Sequence, residues 1–307
     1  MLPGHVVVSA VGDLAALRDQ ARRFDDLGVA GVLVPDHLFV TIDGDRARAF
    51  PGVDPFVVLA AIATLSDRLI VGTIVANVGI VHPAVVLRHA LQLAALAGGE
   101  RVLAGLGAGW NTEEFDALGM TMPGHRDRLD RLEESCALAR ALFDDGVASL
   151  DGAHVVARSL PATPATSTAP RLLVGGGSDR LLDIAGRYAD VVDLNGSSRR
   201  TRLGRDRPVI DDHKRRRSTT VDDLVDSTTR VRTAASGAGR PAPALSVLID
   251  TVDFDAAPGN ECPYVLTGPP AAMRDALDER VERIGLDRVL VSDGPHLDRL
   301  FQEVLSA

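Results

Sequence analysis

The sequence predicts an α/β protein: a closed (β/α)8 TIM barrel with a hairpin insertion and a long basic loop. Three observations carry that prediction. Short β-branched runs alternate with amphipathic stretches, giving eight strand–helix pairs. The strands are continuous apolar runs, as a parallel sheet covered on both faces requires. The chain has 307 residues, which suits eight units closed into a barrel better than an open doubly wound sheet. One domain over 1–307 is expected, with insertions near 144–171 and 197–219.

The elements follow in order. His5–Val11 reads as the first strand. Asp13 caps a helix that runs through Leu27, and Gly28 stops it. Gly31–Pro35 is the second strand. Asp54-Pro55 opens a helix to Ser66, with aspartate as cap and proline in the first turn. Arg68–Asn77 is the third strand, and Pro83 opens a helix to Ala97 ended by Gly98-Gly99. Glu100–Gly107 is the fourth strand, followed by helical stretches of which His125–Phe143 is the clearest. The second half reads as strand Arg171–Val174, helix Asp179–Tyr188, strand Asp190–Leu194 and helix Val221–Ala235. Strand Ala244–Val252, helix Pro269–Ile284, strand Arg288–Val291 and helix His296–Leu305 complete it.

Two segments break this rhythm. In Asp144–Ala169, Asp151-Gly152 separates two short strand-like runs, Val147–Leu150 and His154–Ala157, which reads as a hairpin. Ser197–Thr219 has ten basic residues and no hydrophobic period, so it reads as a long loop.

Composition excludes several classes. The formal net charge is −9, which argues against nucleic acid as the main partner. Hydrophobic residues make up 46% of the chain, so disorder is not expected. The two cysteines, Cys136 and Cys262, form no C-x-x-C motif, which fits a reducing cytoplasm. The start of the chain has no signal-peptide pattern, and apolar runs such as Val57–Leu65 are too short to span a bilayer. No metal site is expected: His82 and His89 lie seven apart, His5 begins a strand, and H-E-x-x-H does not occur. The G-x-S-x-G elbow of a serine hydrolase is missing too.

In a barrel, chemistry sits at the carboxyl ends of the strands. Those positions hold Asp36 and His37, then Asn77, then Gly107-Ala108-Gly109-Trp110-Asn111, then Gly175-Gly176-Gly177-Ser178, then Asn195-Gly196. The triple glycine has two readings: a cradle for a phosphate at a helix N-terminus, or a tight turn capped by Ser178. His37 also has two: a proton-transfer group, or a loop histidine bonded locally.

Taken together and in order, these motifs resemble the luciferase-like monooxygenase family, in particular members that use the deazaflavin coenzyme F420. The resembling pieces are Asp36-His37; Gly72 to Asn77 through His82-Pro83; Gly98 to Arg101; Gly105 to Asn111 with Glu113-Glu114-Phe115; Arg128-Leu129 before Glu133; Leu172 to Gly177; and Tyr188 to Asn195. The resemblance implies hydride transfer between F420 and an organic small molecule, with FMN-dependent monooxygenation or a non-catalytic flavin barrel as alternatives. It implies a cis peptide at Ile74–Val75 behind the ring. Asp36, Ile74, Val75, Asn77, Ala108 and Gly109 match the ring contacts, and Gly175, Gly176, Gly177 and Ser178 the phosphate site. His37 matches a catalytic histidine of sugar-phosphate-oxidising members. Where those members carry its glutamate partner, this chain has Trp110, a candidate wall of the substrate pocket. Homodimers are common in that family. The basic loop, Arg199 to Arg217, is expected to attract the coenzyme's anionic polyglutamate tail.

Overall fold

The computed structural model describes residues 2–8, 12–42, 45–196, 216–259 and 262–305. Eight parallel strands close into a ring: β1 (Gly4–Val7), β2 (Gly31–Val34), β3 (Ile70–Thr73), β4 (Val102–Gly107), β5 (Arg171–Gly176), β6 (Val191–Leu194), β7 (Ala244–Ile249) and β8 (Arg288–Ser292). Each pairs with its neighbour in sequence, and β8 returns to β1. The (β/α)8 barrel predicted from the strand count is the observed fold. Among the described residues, no helix is long and apolar enough to cross a membrane.

The strand period of two divides the core. Val7, Leu33, Leu103, Leu173, Val191 and Leu290 point inward and pack together inside the ring. Their sequence neighbours point outward against the helices, as Val6, Val32 and Val174 do with Phe24, Leu59 and Leu182. The helix signals act as read. Asp13 Oδ1 accepts from the Ala16 N–H at 3.0 Å and Asp54 Oδ1 from the Val57 N–H at 3.0 Å, each satisfying an orphan donor of a first turn. Gly28 sits at φ +72° past its helix, a conformation that costs glycine nothing.

Several boundaries differ from expectation. The third strand stops at Thr73, and pairing with β4 resumes only at Ala76–Asn77. The peptide between Ile74 and Val75 is cis, as the resemblance implies. Gly99–Arg101 forms a 3₁₀ turn, so β4 begins later than Glu100. Phe39–Ile42 and Asp45–Pro51 form an antiparallel hairpin that the charged sequence there concealed. The predicted strand Ala244–Val252 is two: β7 ends at Ile249, and Thr251–Asp253 leaves the barrel to pair with Val265–Thr267. The first insertion is the hairpin expected, Val147–Asp151 against Val156–Pro161.

Of the second insertion, residues 197–215 lie outside the described residues, and with them the readings made for Arg199 to Arg215. Arg216 is described, and it differs from the expectation of a loop cation that attracts an anionic tail. Its guanidinium lies 4.6 Å above the Tyr264 ring and donates to the Leu248 carbonyl at 2.8 Å. Arg216 is 8% exposed: it is spent on the barrel rim and not offered to a ligand tail.

Candidate active site

The turn after β2 carries Asp36 and His37 and is clamped by one short helix, Thr112–Ala117. Asn111 caps that helix through Oδ1 and donates its Nδ2 to the Phe39 carbonyl at 3.1 Å. Glu114, one turn along, is 1% exposed. One of its oxygens accepts from the Leu38 N–H at 2.7 Å, and both lie 3.2–3.3 Å from His37 Nδ1. From the other side, Gly52 donates its N–H to the Leu38 carbonyl at 2.9 Å. It packs so close that a Cβ there would meet the His37 carbonyl at 1.5 Å.

A carboxylate can only accept, so His37 Nδ1 carries the proton and Nε2 is the nitrogen that can serve a ligand. His37 therefore has the acidic partner that Trp110 was thought to replace, supplied four residues later. Trp110 stands edge-on to the His37 ring at 5.1 Å and is 47% exposed.

Beside this turn the chain bulges at Ile74–Val75. Asp36 Oδ2 accepts from the Asn77 N–H at 2.9 Å, and Asn77 Oδ1 from the Gly79 N–H at 2.9 Å. Burial raises the Asp36 pKa, opposed by the Asn77 N–H. Val75 is partly exposed at the mouth and fits between strands that have no side chain there. A Cβ on Gly107 would meet Val75 Cγ2 at 2.2 Å, and one on Gly175 would meet Cγ1 at 3.3 Å. Gly109, at φ +75°, leaves room for the Asn77 amide, which a Cβ would meet at 2.5 Å.

The triple glycine is closely packed. A Cβ on Gly176 would enter the Leu181 side chain at 2.5 Å, and one on Gly177 would meet the Gly196 carbonyl at 1.6 Å. Ser178 caps the helix that follows, accepting from the Leu181 N–H at 3.4 Å. The close approach at these positions is therefore between elements of this chain. Gly177→Ala is expected to lower the melting temperature by about 5 °C or more. A calorimetric scan checks it, and an unchanged transition would show that the 195–196 turn yields freely.

Next to Gly175, Asp193 on β6 points into the barrel. It is 5% exposed, and its Oδ1 accepts from the Ser246 hydroxyl at 2.9 Å. Burial pushes its carboxyl up to about 6, against the opposing pull of the Ser246 hydroxyl and the Arg216 charge. Asn195, beyond β6, has a buried Oδ1 with no partner among the described residues. Tyr264, fully buried, accepts from the Gly196 N–H at 2.6 Å and donates to the Leu194 carbonyl at 3.2 Å.

The structure thus joins Asp36 to Asn77 and Asn77 to Gly109, and it seats Val75 against Gly107 and Gly175. Ile74 and Ala108 flank that contact, both partly exposed. Gly176 and Gly177 pack against the next helix and turn, and Ser178 caps that helix. Sequence reading missed Glu114, Asp193, Ser246 and Tyr264. A signal existed for Glu114, since Glu113-Glu114 was noted, but adjacent glutamates in a first turn look alike.

The luciferase-like monooxygenase family model matches residues 2–250. An F420-dependent glucose-6-phosphate dehydrogenase of Beutenbergia cavernae is 30% identical over 169 residues, covering 54% of this chain and 48% of that one. The chain spans about half the length of the curated relatives it matches. Among solved structures, an F420-dependent secondary alcohol dehydrogenase in complex with an F420-acetone adduct superposes with a TM-score of 0.78. Identity is 16%, with 99% of this chain and 98% of that one covered. A riboflavin lyase with modified FMN and riboflavin superposes at 0.77, with 15% identity and coverage of 100% and 91%. At such identities the superpositions speak for the barrel alone. The family model covers most of the sequence, and the chain belongs to the luciferase-like monooxygenase family.

Proposed function

We propose that this protein is an F420-dependent oxidoreductase that moves a hydride between the deazaflavin and an alcohol-type small molecule. The observation that carries this reading is the His37–Glu114 pair at the same barrel mouth as the Val75 bulge. Oxidising an alcohol to a carbonyl removes a hydride from carbon and a proton from oxygen, so the site needs a proton acceptor. His37 Nε2 takes that proton, and Glu114 holds the ring and stabilises the imidazolium. A relative named as an F420-dependent glucose-6-phosphate dehydrogenase supports the choice.

The residues present fit a flat ring. Val75 offers an apolar step with glycines on both sides, and the buried Asn195 Oδ1 is an acceptor in want of a donor. Asp36 and Asn77 fix the step from below, and Trp110 walls the side that His37 faces. The deazaflavin, when bound, supplies the hydride chemistry. The protein binds it, orients the substrate against it and limits water at the reacting face.

The test is titration of the protein with F420 and with FMN, following quenching, then a panel of secondary alcohols. F420 is expected to bind at least about tenfold more tightly than FMN and to be reduced by one of the alcohols. Tighter binding of FMN, with oxygen consumed on turnover, would instead favour a monooxygenase.

A further inference from the structure

At the end of the barrel opposite the site, three basic side chains point into the ring. His5 is the second residue of β1, and Arg171 and Arg288 are the first of β5 and β8. The register sets their direction. Arg171 pairs with Leu103 and His5 with Leu290, both in the inward cluster. Arg288 pairs with Ser246, whose β6 partner is Asp193. Side chains on paired parallel positions share a face, so all three point inward, beneath the apolar layer of Val7, Leu173 and Leu290.

Their polar atoms are poorly provided for. His5 is 1% and Arg288 8% exposed. Among the described residues, Arg288 Nε and Nη1 and Arg171 Nε are buried with no hydrogen-bond partner, and the His5 ring has only the Pro3 backbone beside it. Burial lowers the Arg288 pKa, and Arg171 lowers it further; Asp287 opposes this. The Asp287 Oδ2 already accepts from the Leu245 N–H at 2.8 Å. Burial, then Arg288, lower the His5 pKa to about 3, against the opposing hydrogen bond to the Pro3 backbone. Two like charges with unpaired donors inside a protein are costly unless an anion joins them. The partly exposed Arg171 leaves a way in from solvent.

We propose that the N-terminal end of the barrel is a binding site for a small tetrahedral oxyanion, sulfate or phosphate, held by Arg171, Arg288 and His5. Planar guanidinium forks match the edges of such an anion in paired charge-assisted hydrogen bonds. A neutral imidazole adds one N–H donor. The site is separate from the His37–Glu114 mouth and does not depend on its chemistry.

The test is thermal melting in up to about 10 mM sodium sulfate, with ionic strength held constant by sodium chloride. The melting temperature is expected to rise saturably, by about 2–5 °C. Arg288→Met should abolish the rise while melting no lower than the parent in chloride, since one of two unpaired like charges is gone. Arg171→Met, at a partly exposed position, serves if Arg288→Met does not fold. Isothermal titration of sulfate into the unaltered protein gives an independent reading, with one site per chain expected. A missing response, an equal response in the variants, or an equal response to acetate would overturn the proposal.

Discussion

Glu114→Gln is expected to cut turnover by about 10²–10⁴-fold, with deazaflavin affinity changed less than about threefold. The amide is nearly isosteric, and its oxygen still accepts from the Leu38 N–H. Its NH₂ then faces His37 Nδ1 and turns the imidazole into the other tautomer, with the proton on Nε2. That nitrogen can no longer take a proton from substrate, and no carboxylate is left to stabilise the imidazolium. His37→Ala should cost as much, and the double variant little more than the worse single one, because the pair acts as a unit. Nitrogen NMR of the ring gives a readout apart from activity, since the tautomer exchange is visible in the ring shifts. Exchange of the tautomer with full turnover retained would reduce the pair to a clamp for the Asp36–Leu38 turn.

That pair also marks where the sequence stops being legible. The barrel could be read because each strand signals locally: β-branched runs, an aspartate or proline opening the next helix, a glycine closing it. The ends of the strands could be read for the same reason. The glycines around Val75 were visible as glycines, but their purpose was not. Gly107 and Gly175 make room for Val75, while Gly176 and Gly177 make room for Leu181 and Gly196. Only the three-dimensional contact separates a cradle from a turn.

The missed residues share a cause. Asp193 sits in an apolar strand, Val191–Leu194, where one acidic residue looks like an outward-facing exception. The pairing with Gly175 and Ser246 turns it inward. Arg216 lies inside a run of charges and carries no local sign that sets it apart from them. Tyr264, more than forty residues away in sequence, takes it out of water. Burial of a charge is decided by distant chain, and no local pattern carries it.

Asp193→Asn is expected to stabilise the protein at neutral pH and slow it at the same time. The sign follows from the raised carboxyl pKa. It lies near about 6 in the folded chain and near about 3.9 unfolded. Below pH ~4 both states hold the proton, and Asp193 carries no penalty. Between pH ~4 and ~6 the unfolded chain gives up its proton and the folded one keeps it, so stability falls as pH rises. Above pH ~6 the full cost of an ionised buried carboxylate is present, at most about 3 kcal/mol for a shift of this size. Asparagine keeps the Ser246 bond through its carbonyl oxygen and never ionises. Arg216, which faces the same space, retains Asp250 at 3.6 Å. The variant should therefore melt about 3–5 °C higher than the parent at pH 8, with the gap closing by pH 4. A gap that stays constant with pH would mean that another group, and not Asp193, carries the titration. The carboxylate adjoins Gly175, the residue against which Val75 is seated. A buried charge kept at that cost, under the proposed ring platform, serves the reaction and not the fold, so turnover should fall where stability rises. A variant that gains stability and keeps full activity would leave Asp193 as a tolerated burden of the barrel core.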